Sequence, residues 1–368
     1  MLRPNNSSYM KLKNRAEILR LIRADGMSRA ELSRQTGLSR AAVTIIVDQL
    51  LSEGIIKEGE AVKSESGRYP TALHLDPAAR YAAGIDISRE GCRVGVADFG
   101  GRLLEQRFIA VAESPQKTVE LAAGELKELL AAKENVLGVG ICVPGPVDVF
   151  KGSVLRPPGL DLWHSFDIVD AFEQQLQLPV LLEKDTNALA LAEKNMARVG
   201  ENFIFLLADH GLGCGLIQNG KLFKGFGGFG CELGHISVDR NGPLCRCGNR
   251  GCAELYASIP AAEKVAKKSW NEFKKDEQLV LNLAEMLALA CINAVNLLEP
   301  EEIVLGGKLA DAPPLLAERL ERALAQRCMT RLYHQVKVRR SVLPENARTV
   351  AAAGLVLENF FNWMEVKK

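Results

Sequence analysis

The sequence predicts an α/β chain, with a winged helix-turn-helix at the N-terminus and a larger two-lobed body behind it. Three observations carry this. Residues 14–51 hold three short helical patterns punctuated by glycine and serine, and residues 54–75 follow with two alternating strands around a polar loop. From residue 81 onward, strands alternate with helices in a pattern that runs twice.

In chain order, Asn14 to Ala24 places Ile18, Leu21 and Ile22 on one helical face and stops near Gly26. Ser28 caps a second helix, Arg29 to Thr36, and Glu31 three residues on completes a capping box. Gly37 breaks that helix, and Ser39 caps a third, Arg40 to Leu51. Its Val43, Ile46, Val47, Leu50 and Leu51 make an apolar stripe. Two short helices about three residues apart, the second the more apolar, form the arrangement that docks a helix in the major groove. The outward side of the third helix then offers Ser39, Arg40, Ala41, Thr44 and Ile45 to DNA, with Asp48 further along. Arg40 suits a base or phosphate, and Thr44 and Ile45 suit thymine methyls. Residues 54–58 and 71–75 read as the wing, whose loop, residues 59–70, carries Arg68 toward phosphate or the minor groove.

The body opens with strands at Tyr81–Ile87 and Cys92–Asp98, a helix from Gln116 to Ala132, and a buried strand from Val136 to Val143. A strand at Pro179–Leu182 leads into Glu183-Lys184-Asp185-Thr186-Asn187 and a helix, Ala188 to Ala197. Another strand, Phe203–Ala208, precedes His210-Gly211-Leu212-Gly213. Long apolar helices at Gln278–Leu298 and Arg348–Trp363 are expected to be core for most of their surface.

Within eighteen residues stand His235, Cys245, Cys247 and Cys252, with Pro243, Gly248 and Gly251 between them. Imidazole and thiolate are the ligands of a tetrahedral zinc site, and the turn formers let the chain close around one ion. No ligand position is evidently left for water, so the expected role is a structural Zn2+.

Composition limits the setting. Nearly half the 368 residues are hydrophobic and a quarter charged, as in ordinary globular chains. Met1 to Lys13 is polar and no apolar run approaches the ~20 residues of a membrane span, so neither export nor membrane insertion is expected. Nine cysteines, an odd number, fit a reducing compartment, the cytoplasm by default. Residues 1–75 carry a net +4 and the remainder −3, which places the basic surface on the module expected to meet an anionic partner.

Those motifs together resemble the ROK family (repressors, open reading frames and sugar kinases), built on a duplicated actin-like, hexokinase-like fold. The resemblance spans the chain: the winged module and its Gly67-Arg68-x-Pro70, residues 138–148 (GVGICVPGPVD), Glu183-x-Asp185-x-Asn187, Glu232 to His235, the cysteines through Glu254, and Ile303-Val304-Leu305-Gly306-Gly307. It implies a winged module at 1–75 and a sugar-kinase-like domain at 76–368. In that domain lobe one is about 80–190 plus the helix 348–364, and lobe two, with the zinc, is about 190–347. It also implies a sugar held by Asp185, Asn187, Glu232, His235 and Glu254. His235 then binds zinc through one ring nitrogen and offers the other to the sugar.

The same resemblance marks departures. Family kinases use the carboxylate at Asp185 as general base beside two phosphate-binding loops. Here the first loop reads Asp86-Ile87-Ser88-Arg89-Glu90, lacking both glycines and the threonine, and the second begins Asp209-His210-Gly211. Close phosphate approach is lost, so no catalysis is expected. Two sugar-binding asparagines are replaced, by Gly159 and by Lys184. Lys184 is expected to pair with Asp185 or, failing that, to meet an acidic or phosphorylated ligand. The implied function is a repressor of carbohydrate-metabolism genes. It would bind double-stranded operator DNA as a homodimer or dimer of dimers and respond to a sugar or sugar phosphate. The alternatives are a sugar kinase with an appended DNA module, and a regulator controlled by a sugar-transport protein.

Overall fold

Two five-stranded sheets with the same strand order organise the chain. The structure, a computed structural model, describes residues 7–61, 71–110, 112–157, 159–197, 200–344 and 346–363. It divides into two compact units: residues 1–143, 159–183 and 349–368, and residues 144–158 and 184–348.

In the first unit the sheet runs Leu103–Ile109, Cys92–Asp98, Tyr81–Ile87, Val136–Val143, Val180–Lys184. Its first three strands are antiparallel and the third pairs in parallel with the fourth. The C-terminal helix Ala347–Trp363 rests on this sheet where side chains are missing. A Cβ on Gly84 would lie 2.2 Å from the Thr349 carbonyl oxygen, and one on Gly140 only 1.8 Å from that of Ala352. Gly84 and Gly140 face each other in register, so the two glycines together seat one helix.

The winged module belongs to this unit and shares its apolar core. Ile18, Leu32, Val43, Val47 and Leu50 pack in one cluster with Phe99, Val356, Leu357 and Phe361. Phe99 stacks on Phe361 at 5.2 Å between centroids. Arg23 lies 4.5 Å over the Phe361 ring and bonds Glu358 at 3.2 Å. The first helix runs Ser7–Asp25, a longer span than its apolar face marks, because its opening turns are polar. The second spans Arg29–Thr36 with its capping box formed and Gly37 left-handed at φ 70°; the third spans Arg40–Ser52. Gly54 (φ 64°) closes that third helix through its N–H to the Leu51 carbonyl, which delays the first wing strand to Ile56–Ala61.

The second unit repeats the sheet: Lys221–Leu222, Leu212–Gln218, Phe203–Ala208, Glu302–Gly307, Lys337–Arg340, again antiparallel and then parallel. Against it lie Asp185–Ala197, Pro314–Arg327 and the 22-residue helix Glu277–Leu298. Among the described residues that last helix is the one long and apolar enough to cross a membrane, and its Val280, Leu283, Leu287, Cys291 and Val295 are buried in the unit's core.

Candidate functional site

The exposed face of the Arg40–Ser52 helix is fixed from behind. Val43, Val47 and Leu50 are fully buried, and the Ser39 hydroxyl accepts the Ala42 N–H at 3.2 Å, so the opposite side must face solvent. Ser39, Arg40, Ala41, Thr44 and Ile45 are all exposed there, Ile45 at 60 %. Thr44 spends its hydroxyl proton on the Arg40 carbonyl at 2.9 Å, leaving its methyl and oxygen outward. Arg29 was not evident from sequence: it bonds Asp48 at 3.1 Å and Glu58 at 2.8 Å. It thereby cancels an acidic residue that would repel DNA phosphate and ties the second helix to the third and to the wing. Arg68 lies outside the described residues.

His235, Cys245, Cys247 and Cys252 converge as expected, their ligand atoms all within 4.8 Å of one another. The His235 Nδ1 is 3.7 Å from the Cys245 sulfur, and the Cys247 and Cys252 sulfurs are 3.6 Å apart. Tetrahedral zinc with thiolates at about 2.3 Å sets ligand atoms about 3.8 Å apart, so the donor set fits, and the four side chains can coordinate a metal ion. The loop is built for this closure. Leu244 bridges Arg250, Ser237 bridges Cys252, and Cys245 donates its N–H to the Asn249 carbonyl. Gly251 stands left-handed (φ 63°) where a Cβ would lie 1.7 Å from the Asp239 carbonyl oxygen. Since Nδ1 faces the sulfurs, the far ring nitrogen of His235 points away from them.

Each carboxylate expected at a ligand site is instead held by a cation. Asp185, 7 % exposed, accepts from the Arg348 guanidinium at 2.9 Å and from the Thr186 N–H at 2.7 Å. The other arm of that guanidinium reaches Asp209 at 2.7 Å, at the end of the strand Phe203–Ala208. Burial raises the Asp185 carboxyl above its ordinary range, with Arg348 acting against the rise. Lys184 bonds Glu232 at 2.9 Å, and its charge also acts on the adjacent Asp185. Burial opposes the Lys184 charge, yet attraction to Glu232 keeps its pKa above the usual value. Glu254 accepts from Arg246 at 3.0 Å and from the Leu212 N–H at 3.1 Å. Asn187 is buried on the helix that Asp185 begins.

Two of the sequence's departures also fit one another within the first unit. Gly159 is left-handed (φ 72°), and a Cβ there would lie 2.4 Å from the Arg89 guanidinium nitrogen. Arg89 therefore occupies the space that a side chain at position 159 would enter. Arg348 was missed from sequence, although a clue was present. A cation in the first turn of an apolar helix opposes the helix dipole and needs a local carboxylate to explain it.

An outward-facing third helix in a winged helix-turn-helix, carried on a duplicated α/β body, is the arrangement of a DNA-binding transcriptional regulator. Residues 82–359 match the ROK family and residues 12–57 the winged helix-turn-helix DNA-binding family, and the chain belongs to the ROK family. The xylose repressor of Bacillus subtilis (strain 168) is 28% identical, over 97% of this chain and 98% of that protein. The solved structure of a ROK family transcriptional regulator, homolog of E. coli MLC protein, superposes with TM-score 0.82 at 25% identity, covering 97% of this chain and 98% of that one. The ROK hexokinase from Thermus thermophilus gives TM-score 0.66 at 29% identity, but covers only 74% of this chain against 96% of its own. The full-length likeness is to regulators; the kinase likeness spares the DNA module.

Proposed function

We propose that this chain is a carbohydrate-responsive repressor, in which a sugar or sugar derivative binds the Asp185, Asn187, Glu232, His235 and Glu254 set and alters operator affinity. The observation that carries the reading is the charge-compensated carboxylate set. Three carboxylates suited to sugar hydroxyls are each paired with a cation, Arg348, Lys184 or Arg246, while no glycine-threonine loop is present for a nucleotide phosphate. A ligand's hydroxyls must share or displace those cations. An effector carrying a phosphate or carboxylate gains from the same groups that a neutral sugar must displace.

The donor set supports a structural Zn2+. His235, Cys245, Cys247 and Cys252 would hold the ion, which would fix the His235 ring so that its other nitrogen could meet the ligand. A homodimer, or a dimer of dimers, presents two winged modules to a pseudo-palindromic operator, with Ser39, Arg40, Ala41, Thr44, Ile45 and Arg68 at the DNA. Thermal-shift titration with neutral sugars, sugar acids and sugar phosphates tests the ligand claim, because a ligand selective for the native state raises its melting point. One class should stabilise the wild type and lose its effect in Glu254→Gln. A panel without effect, or an effect that survives the substitution, overturns the assignment.

A further inference from the structure

Ile45 stands 60 % exposed on the side of the Arg40–Ser52 helix that is turned away from the module's core. Among the described residues of the winged module, Met10 at 45 % is the one other large apolar side chain left open to water. Single exposed apolar side chains are common on protein surfaces, so exposure by itself decides nothing. Position decides. Ala41, Thr44, Ile45 and Asp48 fall at i, i+3, i+4 and i+7, opposite the buried Val43, Val47 and Leu50, and all four are exposed.

The polar groups on that face are already engaged. Thr44 donates its hydroxyl proton to the Arg40 carbonyl at 2.9 Å, so toward a base it offers a methyl group and an acceptor oxygen. Asp48 accepts from Arg29 at 3.1 Å. A helix turn that presents the Ala41 methyl, the Thr44 methyl and the Ile45 side chain has little hydrogen-bonding capacity with which to tell one base edge from another. The major groove offers such a surface one apolar group, the C5-methyl of thymine. From Ala41 to Ile45 the helix advances about 6 Å, against about 3.4 Å between successive base pairs, so the three side chains span two neighbouring pairs.

Within the reading that places Ser39 to Ile45 at the DNA, on which this rests, we propose that the helix selects its operator by methyl groups. Ile45, flanked by Ala41 and the Thr44 methyl, is the specificity-determining residue for the thymines of two adjacent base pairs. Discrimination comes from removing the thymine methyls and the isoleucine from water together, while Arg40 at the start of the helix supplies contact to phosphate or a base. Uracil keeps the hydrogen-bonding edge of thymine and loses only the group that Ile45 covers. Cytosine methylated at C5 carries the same group at the same ring position, so methylation raises the affinity of a cytosine placed there.

The test starts from a pool of random duplexes, from which the full-length metal-loaded chain enriches its preferred sequence. That sequence should contain thymines in two adjacent base pairs. Resynthesised with deoxyuridine at those positions, the duplex should bind about fourfold more weakly for each methyl lost, read by fluorescence anisotropy. With cytosine in place of one of those thymines, C5-methylation should recover about the same factor. Ile45→Ala changes an exposed side chain to the best helix former and so folds; it should bind the thymine and deoxyuridine duplexes alike to within about twofold. Thr44→Val, which keeps the methyl and drops the hydroxyl, should retain the preference for thymine. A chain that enriches no sequence would remove the DNA-facing reading and this inference with it. An enriched sequence whose affinity ignores deoxyuridine, or a loss on deoxyuridine that persists undiminished in Ile45→Ala, overturns the inference alone.

Discussion

Replacing Arg348 by alanine removes the guanidinium that holds Asp185 at 2.9 Å and Asp209 at 2.7 Å. A charge-assisted hydrogen bond contributes roughly 1.5–3 kcal/mol, but the two carboxylates differ in what they lose. Asp209 is a quarter exposed and re-solvates, so its bond counts for little. Asp185 is 7 % exposed and stays behind as a buried carboxylate, a situation that costs about 2–3 kcal/mol at neutral pH once access by some water is allowed for. The pH dependence follows from the direction of its shift. Burial already holds the Asp185 carboxyl above its unfolded value, so folding favours the protonated form and that contribution is lost as pH rises through the folded value. Without Arg348 the folded value rises further, and the deficit of the variant must shrink on acidification. Urea titrations of wild type and Arg348→Ala at about pH 7.5 and about pH 5 measure this, and adding Asp185→Asn in the variant background should recover most of the loss. A deficit equal at both pH values, or no recovery in the double variant, would refute the claim that Arg348 neutralises a buried carboxylate.

Other substitutions probe separate parts of the chain. Gly140→Ala drives a methyl to 1.8 Å from the Ala352 carbonyl oxygen and should cost at least about 3 kcal/mol in urea unfolding. Ser39→Ala loses the cap on the Ala42 N–H and should cost about 1 kcal/mol while leaving the metal content unchanged. Chelation with a strong zinc ligand, or Cys245→Ser, should release one ion per chain and lower the melting temperature, read by metal analysis and calorimetry together. Arg40→Ala should weaken duplex binding about tenfold at low salt and reduce the salt slope by about one, measured by fluorescence anisotropy.

Local signals in the sequence were faithful where periodicity and punctuation agree. The capping box at Ser28 and Glu31, the stop at Gly37 and the apolar stripe of Val43, Val47 and Leu50 all stand in the structure. So does the convergence of His235 with three cysteines, because ligand type and glycine spacing are written in adjacent residues. What escaped was long-range pairing. The sequence pointed Lys184 to its neighbour Asp185, whereas its bond to Glu232, 48 positions on, was not foreseen. Arg348 meets Asp185 from 163 positions away, and no local pattern encodes such a meeting. The edge strand Leu103–Ile109 also went unread, since its half-exposed Leu-Leu-Glu-Gln-Arg stretch lacks clean alternation.

Fluorescence anisotropy with duplex DNA from upstream of this chain's own gene, titrated with and without a panel of sugars and sugar phosphates, tests the central claim most directly. The expected result is binding at least about a thousandfold tighter than to a scrambled duplex, shifted about tenfold by one carbohydrate class. Equal affinity for the scrambled duplex, or specific binding that no carbohydrate moves, would contradict it.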